Sequence, residues 1–277
     1  MCENCHKHGE GKIWYLQAKN YSLDLRSDLK RRGIIFDNKL YRESLKEWEE
    51  IKKKPFLIRA IMEPRIRRQT RQQHSGQVLP IEDVEKVFNI VNSVVRVDCW
   101  CRKARNVKDL RYCYGISILP PDEHVQRVVR RPGSGFLSGA ETTGLERLSK
   151  EEALNNMREY EKEGLVHSVW VAPEPFIIGI CNCDRSDCGA LSSTVMRGID
   201  TLTRAEYVAD VDPDLCNGCR NCMRVCQFGA IGYSAANKKV FIDLTRCFGC
   251  GICRSVCTKN AIHLHDRTSV PIAANLW

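Results

Sequence analysis

Two cysteine-rich stretches decide the fold of this chain: CNGCRNCMRVC, residues 216–226, and CFGCGICRSVC, residues 247–257, which repeats the same cysteine spacing thirty-one residues later. Three cysteines in a Cys-x2-Cys-x2-Cys run can present their sulfurs to one face of an iron-sulfur cube. Small residues between them, here Gly218, Gly249 and Gly251, let the loop fold closely around such a cube. The fourth cysteine of each run points away from its own cube and is expected to serve the other one.

The repeat extends beyond the cysteines. Asp212 matches Asp243, and the Ala-Ile pair at residues 230–231 matches the pair at residues 261–262, all at the same offset. Self-similarity at a fixed period indicates two copies of one unit. We therefore expect residues 205–277 to form a domain of two small β-turn-α units folded on each other.

Residues 207–265 resemble the two-cluster bacterial-type ferredoxin domain in all eight cysteines of these runs. The resemblance implies two 4Fe-4S clusters, one held by Cys216, Cys219, Cys222 and Cys257, and the other by Cys247, Cys250, Cys253 and Cys226. Clusters ligated by four thiolates have no open coordination site, which implies one-electron transfer rather than substrate chemistry. One departure from the family pattern is visible, because Gln227 and Thr258 replace the proline that usually follows the fourth cysteine. Zinc is the alternative, but it needs only four ligands, usually in two pairs separated by a longer loop.

The cysteine content indicates where the protein works. Sixteen cysteines in 277 residues are typical of secreted disulfide scaffolds or of intracellular metal sites. The N-terminus shows no apolar signal region, and the longest apolar run, residues 168–180, is interrupted by two prolines and is too short to span a membrane. We expect a reducing, cytoplasmic location, with any membrane association provided by partner subunits.

The sequence predicts an α+β fold in three parts. Residues 1–80 form a charged, helical N-terminal extension, in which residues 52–71 carry eight Lys or Arg against one Glu. This basic arm indicates either a solvated surface or a docking segment for an acidic redox partner or subunit. Residues 81–204 form a central α/β cysteine-rich domain, where a capping-box pattern at Ser149 and Glu152 begins a helix that ends at Gly164. Residues 205–277 form the ferredoxin-like domain with its internal pseudo-twofold repeat.

A second set of six cysteines lies in the central domain, in groups that follow predicted strand ends: Cys99, Cys101, Cys113, Cys181, Cys183 and Cys188. Neighbouring strands would bring these groups together at a third metal or iron-sulfur site. A 4Fe-4S cluster would use four of the six, whereas an atypical cluster would use more. An ordinary buried cysteine remains the alternative for each of them. His167 is a candidate ligand or proton donor near this site, or a core histidine.

Residues 95–265 are also similar to a group of iron-sulfur proteins from anaerobes. The residues that carry this resemblance are CWCR at 99–102, Cys113, SKEEALNNMREYEKEGLVH at 149–167 and ICNCDRSDC at 180–188. The last motif commonly has more cysteines in that group, and Asp184 and Ser186 stand in this chain's version. The resemblance implies anaerobic electron transfer without specifying a reaction.

The N-terminal motif CENCH contains Cys2, Cys5 and His6 at the spacing of haem c attachment sites. Covalent haem attachment normally requires export, for which no signal is visible. Zinc or iron bound by these residues is another interpretation, and a terminus without any ligand is the third.

These observations favour an electron-transfer subunit of an anaerobic oxidoreductase, not itself catalytic, in a hetero-oligomer with a flavoprotein or metalloenzyme. No nucleophile-base constellation or nucleotide fingerprint supports a catalytic role. A first alternative makes the central six-cysteine cluster a catalytic reductase site supplied by the ferredoxin domain. A second, a redox-sensing nucleic-acid binder, is suggested by the formal net charge of +9, but ligating thiolates would cancel part of that charge.

Overall fold

The computed structural model describes residues 13–21, 50–72, 76–99, 101–102, 112–123, 145–171 and 177–276. Cys2, Cys5 and His6, together with most of the helices predicted before residue 50, lie outside these ranges. Among the described residues, no helix is both long enough and apolar enough to cross a membrane. Within these ranges the chain combines helices with mixed sheets, which confirms the predicted α+β class.

The longer helices belong to the first two thirds of the chain, and short helices follow. Their bounds are α1 (Phe56–Gln72), α2 (Ile81–Ile90), α3 (Lys150–Glu163), α4 (Gly189–Ser192), α5 (Asn221–Val225), α6 (Ile252–Ser255) and α7 (Pro271–Ala274). A π-helical turn, Ser193–Arg197, continues α4.

A seven-stranded sheet forms the centre of the molecule. Its strands are β1 (Gly76–Leu79), β2 (Ser93–Val97), β3 (Cys113–Ser117), β4 (Glu146–Leu148), β5 (Val166–Val171), β6 (Ile177–Cys183) and β7 (Leu202–Thr203), in the order β4-β2-β3-β6-β5-β1-β7. Neighbouring strands are antiparallel except for β1 and β7. In this order β6 lies next to β3, which places Cys181 opposite Cys113.

Helix α3 begins and ends where the sequence pattern predicts. The Ser149 hydroxyl accepts the Glu152 backbone N–H at 3.1 Å, and the Glu152 carboxylate accepts the Ser149 N–H at 2.8 Å. Each side chain thus satisfies a backbone N–H that the first turn would leave unpaired. Gly164 ends the helix at φ +88°, a left-handed conformation that favours glycine. The chain then turns directly into β5.

One face of the sheet packs on α2 and α3, and the N-terminal segment closes this core. Trp14 and Tyr15 are fully buried there. The Trp14 indole donates to Gln77 Oε1 at 2.5 Å, and the Tyr15 hydroxyl donates to Asp83 Oδ2 at 2.6 Å. Residues 13–21 and strand β1 are therefore built into the central unit, although the sequence pattern places a boundary at residue 80. The sequence pattern misses this packing because β1, which is buried at all four positions, shows no alternation of polar and apolar residues.

The C-terminal unit has the two-copy construction expected from the repeat. Strand β8 (Tyr207–Val211) pairs with β11 (Ile262–Asp266), and β9 (Ile231–Ser234) pairs with β10 (Lys239–Ile242). The Asp212 N–H donates to the carbonyl of Ala261, and the Asp243 N–H donates to that of Ala230, each at 2.8 Å. These matched crossings connect the two copies and show the pseudo-symmetry directly.

An apolar cluster joins the two units. It contains Val78 and Val166 from the sheet, Leu191 from α4, and Phe228 and Ile252 from the C-terminal unit. All five are buried. The Ser255 hydroxyl adds a polar contact by donating to the Glu161 carbonyl at 3.1 Å. The second face of the sheet is thereby packed against one side of the C-terminal unit.

Candidate metal centre

The eight C-terminal cysteines line two separate cavities, four to each. The first cavity is lined by Cys216, Cys219, Cys222 and Cys257, and the second by Cys226, Cys247, Cys250 and Cys253. The empty space is about 340 Å³ in the first and about 350 Å³ in the second, counting the part open to solvent. The last cysteine of each run thus lies at the cavity of the other run, which is the crossed grouping that the ferredoxin resemblance implies.

The loops around the cavities supply the backbone geometry that close wrapping needs. Gly218 and Gly249, at equivalent positions in the two copies, both have φ +70°. A Cβ atom on either would collide with a backbone carbonyl, that of Lys238 in the first copy and that of Tyr207 in the second. Glycine is required here for its freedom and for its lack of a side chain.

Backbone N–H groups point at the sulfurs. The Ala230 and Ala261 N–H groups donate to the sulfurs of Cys226 and Cys257, each at 3.3 Å, and the Ala209 N–H donates to Cys247 Sγ at 3.4 Å. Such donors stabilise negative charge on a ligating thiolate. The donor set, the crossed grouping and these N–H contacts together fit two iron-sulfur cubes.

The two cavities differ in exposure and charge. Cys219, at the first cavity, is the one exposed cysteine among the described residues. The charged side chains that line this cavity, Arg220 and Lys259, are both cationic. The second cavity has no charged side chain among its described lining residues, and Phe228 stacks on Phe248 there with ring centroids 4.1 Å apart. The first cavity therefore opens to solvent beside positive charge, and the second is apolar.

Arg220 marks a local departure from the repeat. It has φ +66°, whereas the equivalent residue in the second copy is Gly251 at φ +79°. A left-handed conformation costs a residue with a side chain about 1–2 kcal/mol. The Arg220 guanidinium lies over the Tyr233 ring, 3.8 Å from its centroid, and Leu264 occupies the equivalent position in the second copy. The first copy thus keeps an arginine at a strained position.

The six cysteines of the central unit come together in a closed ring. Side-chain electrostatic interactions join Cys99 to Cys101 and Cys113, Cys181 to Cys113 and Cys183, and Cys188 to Cys183 and Cys101. The Cys113 and Cys181 sulfurs are 3.7 Å apart. Three segments distant in sequence supply this ring: the chain after β2, the start of β3, and the end of β6 with the loop that follows. These segments meet where β3 and β6 pair, with Cys113 opposite Cys181.

Contacts within the ring shift the pKa values of its thiols in opposite directions. Hydrogen bonds from Cys181 and Cys99 lower the pKa of Cys113 to about 5, because they stabilise its thiolate. The pKa of Cys181, on the other side of the same hydrogen bond, is raised above its ordinary value, and so is that of Cys99. Six sulfur donors are a soft ligand set, which suits an iron-sulfur cluster.

An arginine clamps two of the segments that form the ring. Arg102 donates through Nη2 to Asp184 and through Nη1 to Asp187, both at 2.8 Å, and its guanidinium lies 4.3 Å from the centroid of the Tyr112 ring. Its side chain is only 8% exposed. Sequence reasoning noted Arg102 and Asp184 only as parts of motifs and missed this pairing. The signal available was opposite charge directly after both cysteine motifs.

Gln227, which stands where ferredoxins usually have proline, connects the ring to the second cavity. Its side-chain amide donates to the Gly164 carbonyl at 2.9 Å and accepts the Arg185 N–H at 3.1 Å. Arg185 belongs to the loop between Cys183 and Cys188, and Gln227 follows Cys226 in the second cavity. The apolar cluster that joins the units also contains cysteines of the ring, Cys183 and Cys188, and it packs against Cys226 and Cys250. The ring therefore lies against the second cavity.

His167 is placed away from the sulfurs. Its Nδ1 lies 2.6 Å from Asn182 Oδ1, and its Nε2 lies 3.8 Å from a carboxylate oxygen of Glu161. Burial lowers the pKa of His167 to about 4 and raises that of Glu161 to about 7. The position of His167 fits the core interpretation better than the ligand one.

In the described part of the chain, no three His, Cys, Asp or Glu side chains are grouped as they would be around a single metal ion. Thiolates at the corners of an iron-sulfur core do not have to converge on one ion, since the core itself separates them.

Comparison with known proteins agrees with the C-terminal geometry. Residues 215–262 match the family described as 4Fe-4S dicluster domain. The chain is 37% identical over 57 residues to the archaeal-type glutamate synthase [NADPH] of Thermotoga sp. (strain RQ2) and to that of Thermotoga maritima. The alignment covers 21% of this chain and only 11% of each relative. No solved structure gives a significant match to this chain. The chain thus carries a ferredoxin-like iron-sulfur domain of the 4Fe-4S dicluster type at its C-terminal end.

Proposed function

We propose that this protein relays single electrons within an oxidoreductase complex of anaerobic metabolism, through two 4Fe-4S clusters and a third centre in the central unit. Cys216, Cys219, Cys222 and Cys257 would hold the first cluster, and Cys226, Cys247, Cys250 and Cys253 the second. When bound, such clusters accept and release one electron at a time at low potential. The observation that carries the proposal is the pair of four-cysteine cavities. The second of them lies against the six-thiol ring and is called the inner cavity below.

The residues of the chain would tune and insulate these sites. N–H donors to Cys226, Cys247 and Cys257 would stabilise thiolate charge, and the stacked rings of Phe228 and Phe248 would exclude water from the inner cavity. The Arg204 guanidinium donates to the Cys247 carbonyl at 2.5 Å, which places positive charge beside the inner site. Excluding water and placing fixed charges are the means by which a protein adjusts a reduction potential.

The partner is proposed to be a flavoprotein or metalloenzyme subunit. The matched relatives are named as NADPH-dependent glutamate synthases, which are redox enzymes. Because the similarity is confined to 57 residues, it supports a shared electron-transfer unit and gives no ground for assigning glutamate synthesis to this chain. Helix α1, on which Arg65 and Arg67 are exposed, is proposed as a surface on which an acidic partner subunit docks.

The number of sulfurs in the ring favours a second candidate, in which the central site is itself catalytic. A cubane needs four thiolates, and the ring offers six. Two remaining thiols beside a central cluster would form a place where a substrate could be reduced. The electrons would come from the 4Fe-4S cluster in the second cavity. The number of protein ligands to the central centre separates this candidate from a simple relay.

Iron and acid-labile sulfide counts on anaerobically purified protein, with EPR spectra during stepwise reduction, test the proposal. About eight irons per chain indicate two cubes and about twelve indicate three. The crossed grouping makes a sharper prediction: C226S should remove the same EPR signal as C247S, and C257S the same signal as C216S. If C226S and C222S instead remove one shared signal, the assignment fails. C99S should spare both ferredoxin signals and abolish only the third.

A further inference from the structure

We propose that the mouth of the first cavity is the docking site for an acidic redox protein, and that Arg220 is its principal contact. This inference rests on the proposed electron-transfer function and specifies where the external partner binds. A partner must approach a ligated cluster closely to exchange an electron, and Cys219 is the exposed cysteine among the described residues. The second cavity is apolar and lies against the sheet unit.

The charge at this mouth selects the chemistry of the partner. The charged lining residues, Arg220 and Lys259, are exposed and cationic. A third cation, Lys239, donates to the Cys216 carbonyl at 2.5 Å on the same loop. Positive charge around an exposed redox site raises the encounter rate with a partner that presents carboxylates, and it repels basic partners.

Comparison of the two copies of the repeat singles out Arg220. The second copy, whose cavity lies against the sheet unit, has glycine at the equivalent left-handed position, and glycine adopts this conformation without strain. The first copy retains an arginine there in spite of the strain, and Tyr233 holds its guanidinium in place. Local strain that a simpler residue would relieve is a pointer to function.

The test compares R220G and R220K with the wild type, and uses K162Q as a control that removes an exposed charge on α3. Isothermal titration of the oxidised proteins with flavodoxin, an acidic one-electron protein, measures binding without turnover. Stopped-flow mixing of the reduced proteins with flavodoxin, or with the basic cytochrome c, follows one electron as it leaves the protein and reduces the flavin or the haem iron. Iron content and the thermal midpoint are recorded for each variant.

We expect R220G to weaken flavodoxin binding about fivefold at low salt, the upper range for one exposed ion pair. The difference should shrink at physiological ionic strength, because salt screens exposed charges. R220K should retain most of the affinity, K162Q should behave as wild type, and the cytochrome c reaction should not slow. Iron content should be unchanged, and the midpoint of R220G should be equal or higher because its strain is relieved.

The inference is overturned if R220G binds flavodoxin as the wild type does, or if K162Q weakens binding equally. Loss of iron from R220G would also overturn it, because Arg220 would then act in assembling the site. Wild-type protein that holds no iron would contradict the proposed function itself. An iron-replete wild type with an R220G variant of equal affinity contradicts only the docking site.

Discussion

The Arg102 clamp offers the most direct test of the central site, through the substitution R102M. Methionine has an unbranched apolar side chain, which replaces the stem of the arginine, and it carries no charge. The substitution leaves Asp184 and Asp187 without the cation that now lies 2.8 Å from each carboxylate. Their side chains are 19% and 23% exposed, so water can compensate only part of the loss.

The magnitude follows from this partial burial. Removing one partner of a fully buried ion pair costs about 3–5 kcal/mol. With about a fifth of each carboxylate exposed, we expect a local destabilisation of about 2–3 kcal/mol. Since about 1.36 kcal/mol corresponds to a tenfold change, amide exchange in the loop between Cys183 and Cys188 should accelerate about 30- to 160-fold.

Hydrogen–deuterium exchange of anaerobically prepared protein, with iron counts and EPR, measures this effect. The third EPR signal should shift or disappear in R102M, whereas the two ferredoxin signals should remain. R185M is the matched control, because Arg185 is an exposed arginine of the same loop that takes no part in the clamp. Exchange in R102M within a few-fold of the wild type, with the third signal unchanged, would refute the idea that Arg102 holds the thiol ring together.

Three further perturbations test other parts of the structure. The pKa of Glu161 is raised to about 7 from an ordinary 4.5, so the folded protein binds the carboxyl proton more tightly than the unfolded chain does. The contribution of Glu161 to stability therefore falls as pH rises from 4.5 to 7. E161Q should remove this fall and be more stable than wild type at pH 8, by at most about 3 kcal/mol, with little difference at pH 4.5 in thermal unfolding; equal midpoints at pH 8 would contradict it. Q227A removes two of the hydrogen bonds between the C-terminal unit and the sheet unit, and we expect a shift in the potential of the EPR signal from the second cavity with the signal from the first cavity unchanged; equal shifts in both would argue against this contact. G218A would place a methyl group against the Lys238 carbonyl at a left-handed residue and should lower the iron content of the first cavity, whereas G229A, where the clash is with the flexible end of an arginine, should be milder in the same iron assay.

Local patterns in the sequence predicted the local structure well. The cysteine spacing predicted the two-copy unit, and the Ser149–Glu152 pattern predicted the start of α3. Both depend on residues close together in the chain, where steric and hydrogen-bonding rules determine the conformation.

The arrangement of distant segments was less accessible. Nothing in the sequence indicates that the six-thiol ring lies against the inner cavity, because that contact depends on how two separately patterned units pack through Val166, Leu191 and Phe228. The burial of Trp14 is a similar case, since its partner Gln77 is sixty-three residues away. The Arg102 clamp joins two motifs that the sequence presents separately.

The Gln227 bridge and the apolar cluster around it have a kinetic consequence. The ring and the inner cavity belong to one chain and are held in fixed contact. Any electron transfer between centres at these two sites would therefore be unimolecular, with a rate that does not depend on the protein concentration. The proposed encounter with a partner at the mouth beside Cys219 would instead be bimolecular. Raising the partner concentration should therefore speed turnover until this internal first-order step sets a plateau, and the height of that plateau is a property of the fold.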